Sequence, residues 1–430
     1  MDVHNRKGED GGILLEKLAL NGGKPVRTKP FPTINNKSGR NIGEEELELL
    51  REVIESGSLF RYAGKMVSRF EEEFAKFLGV KHAVASTSGT ASLHIATGAI
   101  NLGPGMEVIT SPVTDMGTII SIIGQNAIPI FADLDPDTYT LDPEDVRKRI
   151  TDKTKAIIAV HLFGLPCDVD ALKEIAEERG IYLIEDCAQA YLAEYKGKLT
   201  GTMGDINCFS LQQSKHMFTG DGGITVTNDD ELAKRARLFM DKGWDRSATG
   251  PRKYVMIGFN YRMTELQGAV ALAQLKKVKW VVERRRSVAE KLTKEIEDIE
   301  GIYPPTIPKG YKHSYWLYPV KIDPSAFKVS LNEFVKALVA EGIPAGAGYT
   351  GIPLYMTSIF TEKKGYGGTG CPWTCPYYGR EITYKKGLCP KTEDLLSKLI
   401  TLPCNEYFTD EDIEDIATAI RKVAEYYRAT

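Results

Sequence analysis

IEDCAQAYLAEYKGKLTGTMGDINCFSLQQSKHMFTGDGGITVT, residues 184–227, is the stretch around which this chain is organised. A short apolar run ends in the acid Asp186, and a second run, residues 206–210, ends in a serine. Lys215 follows soon after, ahead of a glycine cluster. Taken singly, Asp186 is equally well read as a helix cap, and Lys215 as one surface charge among 55 lysines and arginines. Their meaning therefore depends on the rest of the chain.

The size and composition of the chain indicate a soluble globular protein. A chain of 430 residues can hold two or three domains and bury a large core. Its net charge of −3 gives no indication of the basic surface that a nucleic-acid partner requires. The longest apolar runs are too short to span a bilayer, and the amino terminus has no signal-peptide core. With seven cysteines read as reduced thiols, we predict a cytoplasmic protein that binds neither nucleic acid nor membrane.

Strand and helix patterns alternate from residue 83 to residue 227. This rhythm predicts an α/β fold with a mostly parallel central sheet and helices on both faces. From residue 303 the pattern changes and predicts a smaller C-terminal α+β domain. We therefore predict a disordered tail over residues 1–12 within an N-terminal tail and arm (1–40), a large domain (41–280) and a smaller domain (281–430).

Four polar segments follow predicted strands, at residues 83–92, 113–117, 186–190 and 210–216. Ligands of parallel sheets bind beyond the carboxyl ends of the strands, so these segments predict one shared site. The run Ser88-Gly89-Thr90-Ala91 precedes a helix, where free amides and the helix dipole favour a phosphate. A plain helix cap is the alternative. Ser210 close to Lys215 favours the phosphate.

An acid at the end of one strand and a lysine just past another suit one cofactor chemistry. A pyridine-ring cofactor needs a carboxylate that keeps its ring nitrogen protonated and an amine that holds its aldehyde. Asp186 and Lys215 are placed for these two roles. Burial beside a cationic cofactor would lower the pKa of Lys215, so that its amine is a nucleophile and a proton carrier.

Four motifs carry a resemblance to a known family: Glu185-Asp186-Cys187-Ala188-Gln189-Ala190, Gly204-Asp205 with Cys208-Phe209-Ser210, Lys215 with Gly220-Asp221-Gly222-Gly223, and Gly258-Phe259-Asn260-Tyr261-Arg262-Met263. In this order they resemble the DegT/DnrJ/EryC1/StrS family of sugar and cyclitol aminotransferases. The resemblance runs from about Gly43 to the carboxyl terminus. It implies the fold-type-I arrangement and the cofactor pyridoxal 5′-phosphate (PLP).

The resemblance also implies a role for each site residue. Lys215 would carry the Schiff base, Asp186 would pair with the ring nitrogen, and Gln189 would lie on the side of the ring hydroxyl. The phosphate would be held by Gly89, Thr90, Ala91, Ser210 and Asn260 of a partner subunit. A homodimer with shared active sites follows. Related deoxysugar dehydratases carry a histidine at the lysine position, so Lys215 favours an aminotransferase.

Two positions depart from the family pattern. Asp115 stands at or next to the residue that usually stacks on the cofactor ring, and is counted among the cofactor-binding candidates. Gly348 precedes Tyr349 where a histidine–tyrosine pair is common. Tyr349, Arg262 and His313 are the candidates for substrate binding, with buried structural roles as the alternative for each.

The expected reaction moves an amino group from glutamine or glutamate to a keto-cyclitol or keto-sugar. A scyllo-inosose-like acceptor is favoured by similarity in three runs, residues 18–27, 59–62 and 212–216. One alternative is a nucleotide-sugar ketone as acceptor. An alternative of another class is a non-catalytic PLP-binding regulatory protein.

The cysteines do not form a recognised metal-binding pattern. The spacings fit no common zinc ribbon for the last four, Cys371, Cys375, Cys389 and Cys404. We predict no metal, and four reduced thiols in an insertion that lines the cleft. His161 and Asp168 are predicted to be turn and core residues.

Overall fold

A computed structural model describes residues 16–428 of the chain. The tail predicted for residues 1–12 lies outside the described residues. Among the described residues, no helix combines the length and the apolar character needed to cross a membrane.

The helices within residues 16–428 are α1 (Glu44–Ser56), α2 (Met66–Leu78), α3 (Gly89–Ala99), α4 (Met116–Ile123), α5 (Pro143–Arg149), α6 (Val169–Arg179), α7 (Asp230–Met240), α8 (Glu265–Leu275), α9 (Val278–Ile296), α10 (Leu331–Ala340), α11 (Ser358–Thr361), α12 (Pro390–Leu396) and α13 (Asp410–Tyr427). The strands are β1 (His82–Ser86), β2 (Glu107–Thr110), β3 (Ile128–Phe131), β4 (Thr154–Val160), β5 (Tyr182–Asp186), β6 (Glu194–Tyr195), β7 (Lys198–Leu199), β8 (Ile206–Ser210), β9 (Gly223–Thr227), β10 (Ile302–Tyr303), β11 (Tyr311–Lys312), β12 (Leu317–Ile322), β13 (Gly346–Ala347) and β14 (Leu399–Pro403).

A seven-stranded sheet forms the centre of the fold, in the order β1-β9-β8-β5-β4-β2-β3. Only β9 runs antiparallel to its neighbours, and the other strands are parallel. Strands such as β8 and β9 are buried along their whole length, as expected when helices cover both faces. The predicted α/β fold is confirmed. The carboxyl ends of β1, β2, β5 and β8 lie at one edge of this sheet.

A second, antiparallel sheet has the order β10-β12-β14-β13. Helices α9, α10 and α13 bury their apolar faces in the same core as this sheet. The predicted domain boundary at residue 280 falls inside α9, and β11 pairs with β6 across it. The division into two domains therefore stays a prediction.

The N-terminal arm is fastened to the last helix. Arg27 contacts two carboxylates of α13, with Nη2 at 2.6 Å from Asp412 Oδ1 and Nη1 at 2.7 Å from Asp415 Oδ2. Arg27 and Asp412 are both buried, so this pair is shielded from solvent. The arm consequently holds a fixed course beside the second sheet.

The cysteine-bearing insertion does not line the cleft. Its apolar side chains pack on β3 and α4, in a core formed by Ile119, Ile123, Ile128, Phe131, Leu354, Tyr355, Phe360, Trp373, Tyr378, Tyr384 and Cys389. Cys404 lies apart from it, after β14, where its Sγ donates to the carbonyl of Arg285 at 3.4 Å. The prediction that all four cysteines line the cleft is wrong: hydrophobic burial draws the insertion to the outer edge strand, and Cys404 alone of the four lines a cavity next to the active site. All seven cysteines are free thiols.

Candidate active site

A cavity of about 390 Å³ opens at the carboxyl ends of the parallel strands. The structure brings to it seven of the residues predicted from sequence: Gly89, Thr90, Asp115, Asp186, Ser210, Lys215 and Tyr349. Ser214, from the predicted segment 210–216, also lines the wall, together with Thr118 and Trp316, which the sequence did not single out.

One end of the cavity is built for an anion. Ser88 caps α3, and its Oγ accepts the amide of Ala91 at 3.0 Å. The amides of Gly89 and Thr90, as the first of the helix, have no carbonyl in a preceding turn. A Cβ added to Gly89 would lie 2.6 Å from the Cβ of Ser210, so only glycine brings these amides so close to that hydroxyl. The predicted phosphate contact of Ala91 is not confirmed, because Ser88 occupies its amide.

Asp186 ends β5 and is buried. Its Oδ2 accepts from Thr118 Oγ1 at 2.8 Å, and its Oδ1 accepts from the amide of Ala188 at 3.1 Å. Burial raises the pKa of Asp186 above its usual range, against the opposing effects of Thr118, Ala188 and Lys215. A buried carboxylate with a raised pKa is more stable once a cation reaches it, as a protonated ring nitrogen would.

Lys215 is buried in the turn that follows β8, the strand that pairs with β5. Burial lowers the pKa of its amine to about 8, although Asp186 and Asp115 act in the other direction. A solvated lysine has a pKa of about 10.4. A much larger fraction of Lys215 is therefore the neutral, nucleophilic amine near neutral pH.

Trp316 supplies an aromatic wall that the sequence did not reveal. The Nζ of Lys215 lies 4.1 Å from the centre of the Trp316 ring, and the indole N–H donates to the carbonyl of Ser214 at 3.0 Å. The Tyr349 ring meets it edge-on at 5.8 Å. Asp115, in contrast, is exposed and accepts from an amide of α4 as its N-cap. Trp316 could only have been suspected as the aromatic residue that precedes β12.

Gln189 does not line the cavity itself but forms a hydrogen bond with Tyr349, which does. Its Oε1 accepts from the amide of Phe163 at 2.7 Å, and its Nε2 donates to Tyr349 Oη at 3.3 Å. Tyr349 has a φ of 54°, which is uncommon for a residue with a side chain. The structure thus fixes the Tyr349 hydroxyl, while a direct contact of Gln189 with the cofactor stays a prediction.

Besides Ala91 and Gln189, three predicted residues are absent from the lining of the cavity. Asn260 is exposed, on a backbone bridge to Asp241. Arg262 forms a short ion pair with the same Asp241. His313 is buried and stacked on Tyr315 at 4.0 Å, its Nδ1 accepts from the amide of that residue, and burial lowers its pKa to about 3. These contacts hold Arg262 and His313 in place within this chain, and their binding of substrate stays a prediction.

A buried group behind Asp186 is explained by packing and hydrogen bonds. His161 Nε2 lies 2.9 Å from Glu185 Oε2, and Cys187 lies close to both. Glu185 also accepts from the amides of Gly201, Met203 and Gly204. Asp168 caps α6. The predicted core and turn roles of His161 and Asp168 are confirmed.

The donor set of the cavity fits PLP. Helix amides and the Ser210 hydroxyl at one end suit a phosphate, and a buried carboxylate at Asp186 suits a protonated ring nitrogen. A buried amine of lowered pKa, at Lys215, suits the aldehyde carbon. The residues that would hold the cofactor are thus Gly89, Thr90, Ser210, Asp186 and Lys215.

Comparisons with known proteins agree with this chemistry. The model of the DegT/DnrJ/EryC1/StrS aminotransferase family matches residues 40–375. A putative L-glutamine:3-amino-2,3-dideoxy-scyllo-inosose aminotransferase of Streptoalloteichus tenebrarius is 38% identical, over 81% of this chain and 84% of that protein. GDP-perosamine synthase of Caulobacter vibrioides is 37% identical, over 65% of this chain and 75% of that protein.

The fold is similar to that of solved aminotransferases. The structure of an aminotransferase from Psychrobacter cryohalolentis superposes with a TM-score of 0.81 and 27% identity, over 93% of this chain and 99% of that one. Family match and fold coincide with a cavity that contains a buried lysine and a buried aspartate. The chain belongs to the DegT/DnrJ/EryC1/StrS family and is a PLP-dependent aminotransferase of sugar or cyclitol biosynthesis.

Proposed function

We propose that this enzyme transfers an amino group from glutamine or glutamate to the ketone of a cyclitol, with a scyllo-inosose-like acceptor. The observation that carries the transfer chemistry is the buried Lys215 amine in one cavity with the buried Asp186 carboxylate. The choice of acceptor is supported by the share of this chain that each relative matches. The scyllo-inosose relative matches 81% of the chain, against 65% for the perosamine synthase of nearly equal identity.

PLP, when bound, supplies an aldehyde that takes up amino groups and a ring that draws electrons from the substrate carbon. Asp186 would keep the ring nitrogen protonated, and Thr118 orients the carboxylate by its hydrogen bond. Lys215 would be the base that removes a proton from the substrate carbon and returns it to the former aldehyde carbon of the cofactor, on the other side of the shared nitrogen. Its pKa of about 8 suits both directions of transfer near neutral pH.

The walls of the cavity position these groups. The α3 amides and Ser210 anchor the phosphate end. Trp316 and Tyr349 meet edge-on and shield the Lys215 amine from bulk water, which keeps its pKa low. Substrate is bound, in this proposal, against Tyr349 and the exposed carboxylate of Asp115. That carboxylate suits the hydroxyls of a cyclitol.

We propose a homodimer in which Asn260 enters the partner's cavity. Asn260 is exposed and follows an apolar segment in which Ile257 is 84% exposed and Phe259 is 40% exposed. Large apolar side chains on neighbouring exposed positions are typical of an interface. A second copy that covers them would bring the amide of Asn260 toward the phosphate end.

The dimer proposal predicts complementation. Homodimers of Asn260→Ala and of Lys215→Ala should each be nearly inactive, while a mixture that exchanges subunits should regain up to about a quarter of the activity, since half of the sites in a mixed dimer are intact. Subunit exchange is followed by mass spectrometry and activity by cofactor absorbance. A monomer in solution, or a mixture that exchanges without recovery, would contradict shared sites.

The acceptor is tested in the reverse half-reaction. The enzyme carrying PLP should lose its yellow absorbance with scyllo-inosamine and release the corresponding ketone, identified by mass spectrometry. A nucleotide-linked 4-amino sugar serves as the matched probe for the alternative acceptor. Response to the nucleotide sugar alone would favour that alternative. A protein that binds PLP, yet responds to no amine, glutamine or glutamate included, would favour the regulatory alternative.

A further inference from the structure

A second cavity, of about 450 Å³, adjoins the active site. Ser214 and Trp316 line both cavities, so the two spaces meet at the indole next to Lys215. The N-terminal arm and the second sheet supply mostly apolar walls, among them Phe31, Ile34 and Ile343. The charged residue in this wall is Arg285.

Arg285 is buried and only partly satisfied. Its Nε donates to Glu406 Oε2 at 2.8 Å. Its Nη2 lies 2.8 Å from the same oxygen, but without the geometry of a hydrogen bond. Its Nη1 makes only long contacts, 3.5 Å to the carbonyl of Tyr315 and 3.4 Å to that of Trp316. The Arg285 guanidinium thus has N–H groups beside the cavity that are free to donate to a ligand.

A second buried arginine stands by the same carboxylate. Arg40 Nη1 lies 3.6 Å from Glu406 Oε1, and none of the three Arg40 nitrogens donates a hydrogen bond to a described residue. Burial and then the charge of Arg285 lower the pKa of Arg40 to about 10, against the effect of Glu406. Arg40 therefore remains cationic at neutral pH.

Neither Glu406 nor His216 balances the positive charge of the two arginines. Glu406 is one carboxylate shared between two guanidinium groups. His216 donates from Nε2 to the carbonyl of Ser314 at 2.9 Å, its Nδ1 has no partner among the described residues, and burial keeps its pKa well below the usual range. It is neutral. Arg40 and Arg285 carry two formal positive charges against the one negative charge of Glu406, and Arg285 is the member of this cluster that lines the cavity.

We propose that this cluster is an anion subsite that holds a carboxylate of the amino donor, resting on the proposed amino transfer. A buried cation with unused N–H groups calls for an anion. The apolar walls suit the carbon chain of an amino acid better than a polyhydroxylated ring. Because Ser214 and Trp316 line both cavities, a chain held at Arg285 would pass Trp316 to reach the Lys215 amine.

The subsite can hold either the α-carboxylate or the side-chain carboxylate of the donor, and a comparison of glutamine with glutamate distinguishes the two. Glutamine and glutamate share the α-carboxylate, whereas only glutamate has a charged side chain. A subsite for the α-carboxylate makes both donors depend on Arg40. A subsite for the side chain makes glutamate alone depend on it.

The test compares Arg40→Met with Glu406→Gln in the PLP-loaded enzyme, with Arg40→Lys as the charge-preserving control. The probe is glutarate, a dicarboxylate without an amino group, and its binding is measured by calorimetry next to the uncharged glutaramide. Arg40→Met should weaken glutarate binding about tenfold or more, while Glu406→Gln should tighten it. A purely structural cluster would not move the two variants in opposite directions.

The outcomes are decisive in each case. Equal affinities of the wild-type enzyme for glutarate and glutaramide would overturn the subsite, even if Arg40→Met does not fold. A folded Arg40→Met variant that reacts with glutamine and with glutamate as the wild type does would also overturn the subsite. Glutarate binding without any reaction of the wild-type enzyme with donors would instead overturn the proposed function and leave the anion subsite standing.

Discussion

Replacing Lys215 by alanine is expected to lower the rate of amino transfer by about 10⁴-fold or more, because one residue supplies both the amine and the proton carrier. The variant should still bind PLP through Asp186 and the phosphate end. Transfer is measured by stopped-flow absorbance of the cofactor with glutamine. Covalent attachment is measured by borohydride reduction and peptide mass spectrometry.

The matched control is Lys198→Ala, an exposed lysine on β7, which should behave like the wild type. Lys215→Arg keeps the charge and most of the volume, yet should be as inactive as alanine because the guanidinium stays protonated. A reduced lysine–cofactor adduct at any other position in Lys215→Ala would contradict the assignment.

The same lysine sets a pH dependence. Because burial penalises the ammonium form, the neutral fraction of Lys215 in the cofactor-free enzyme should rise around pH 8 and level off above it. The rate at which this form captures PLP should follow that curve. A rate that climbs to about pH 10.4, the value for a solvated lysine, would mean that the amine is not buried.

Local patterns explain what the sequence could predict. The start of α13 is readable from local sequence, because Thr409 and Asp412 form a reciprocal cap three residues apart. Asp186 and Ser210 end buried strands of one sheet, and Lys215 follows the second, so short runs of sequence were enough to place them together. These features depend on neighbours in the chain.

Long-range contacts explain what the sequence could not predict. Thr118 meets Asp186 across 68 positions, and Trp316 reaches Lys215 from a different sheet. The contacts of Arg262 with Asp241 and of His313 with Tyr315 are likewise not visible in the sequence motifs. The shared carboxylate of Glu406 is a further case, since Arg40 lies 366 positions away from it in the chain.

Replacing Asp186 by asparagine should lower kcat by about 10³-fold with little change in thermal unfolding temperature. The amide keeps the size and can keep the hydrogen bonds to Thr118 and Ala188, so the fold is not opened. It cannot, however, hold a proton at the ring nitrogen, and the electron-drawing power of the ring falls. The readouts are kcat for amino transfer and the absorbance of the bound cofactor as a function of pH.

Variants at Thr118 distinguish the contribution of the Asp186 charge to activity from that of the carboxylate's orientation. Thr118→Val removes the hydrogen bond to Asp186, and also that to Thr114 Oγ1, and should cost about ten- to a hundredfold, since a hydrogen bond to a charged group contributes roughly 1.5–3 kcal/mol. Thr118→Ser keeps the donor and should restore most of the activity. If valine were as damaging as Asp186→Asn, orientation of the carboxylate would dominate. If Asp186→Asn kept full activity, a protonated ring would not be needed, and the electron sink would have to lie elsewhere in the site.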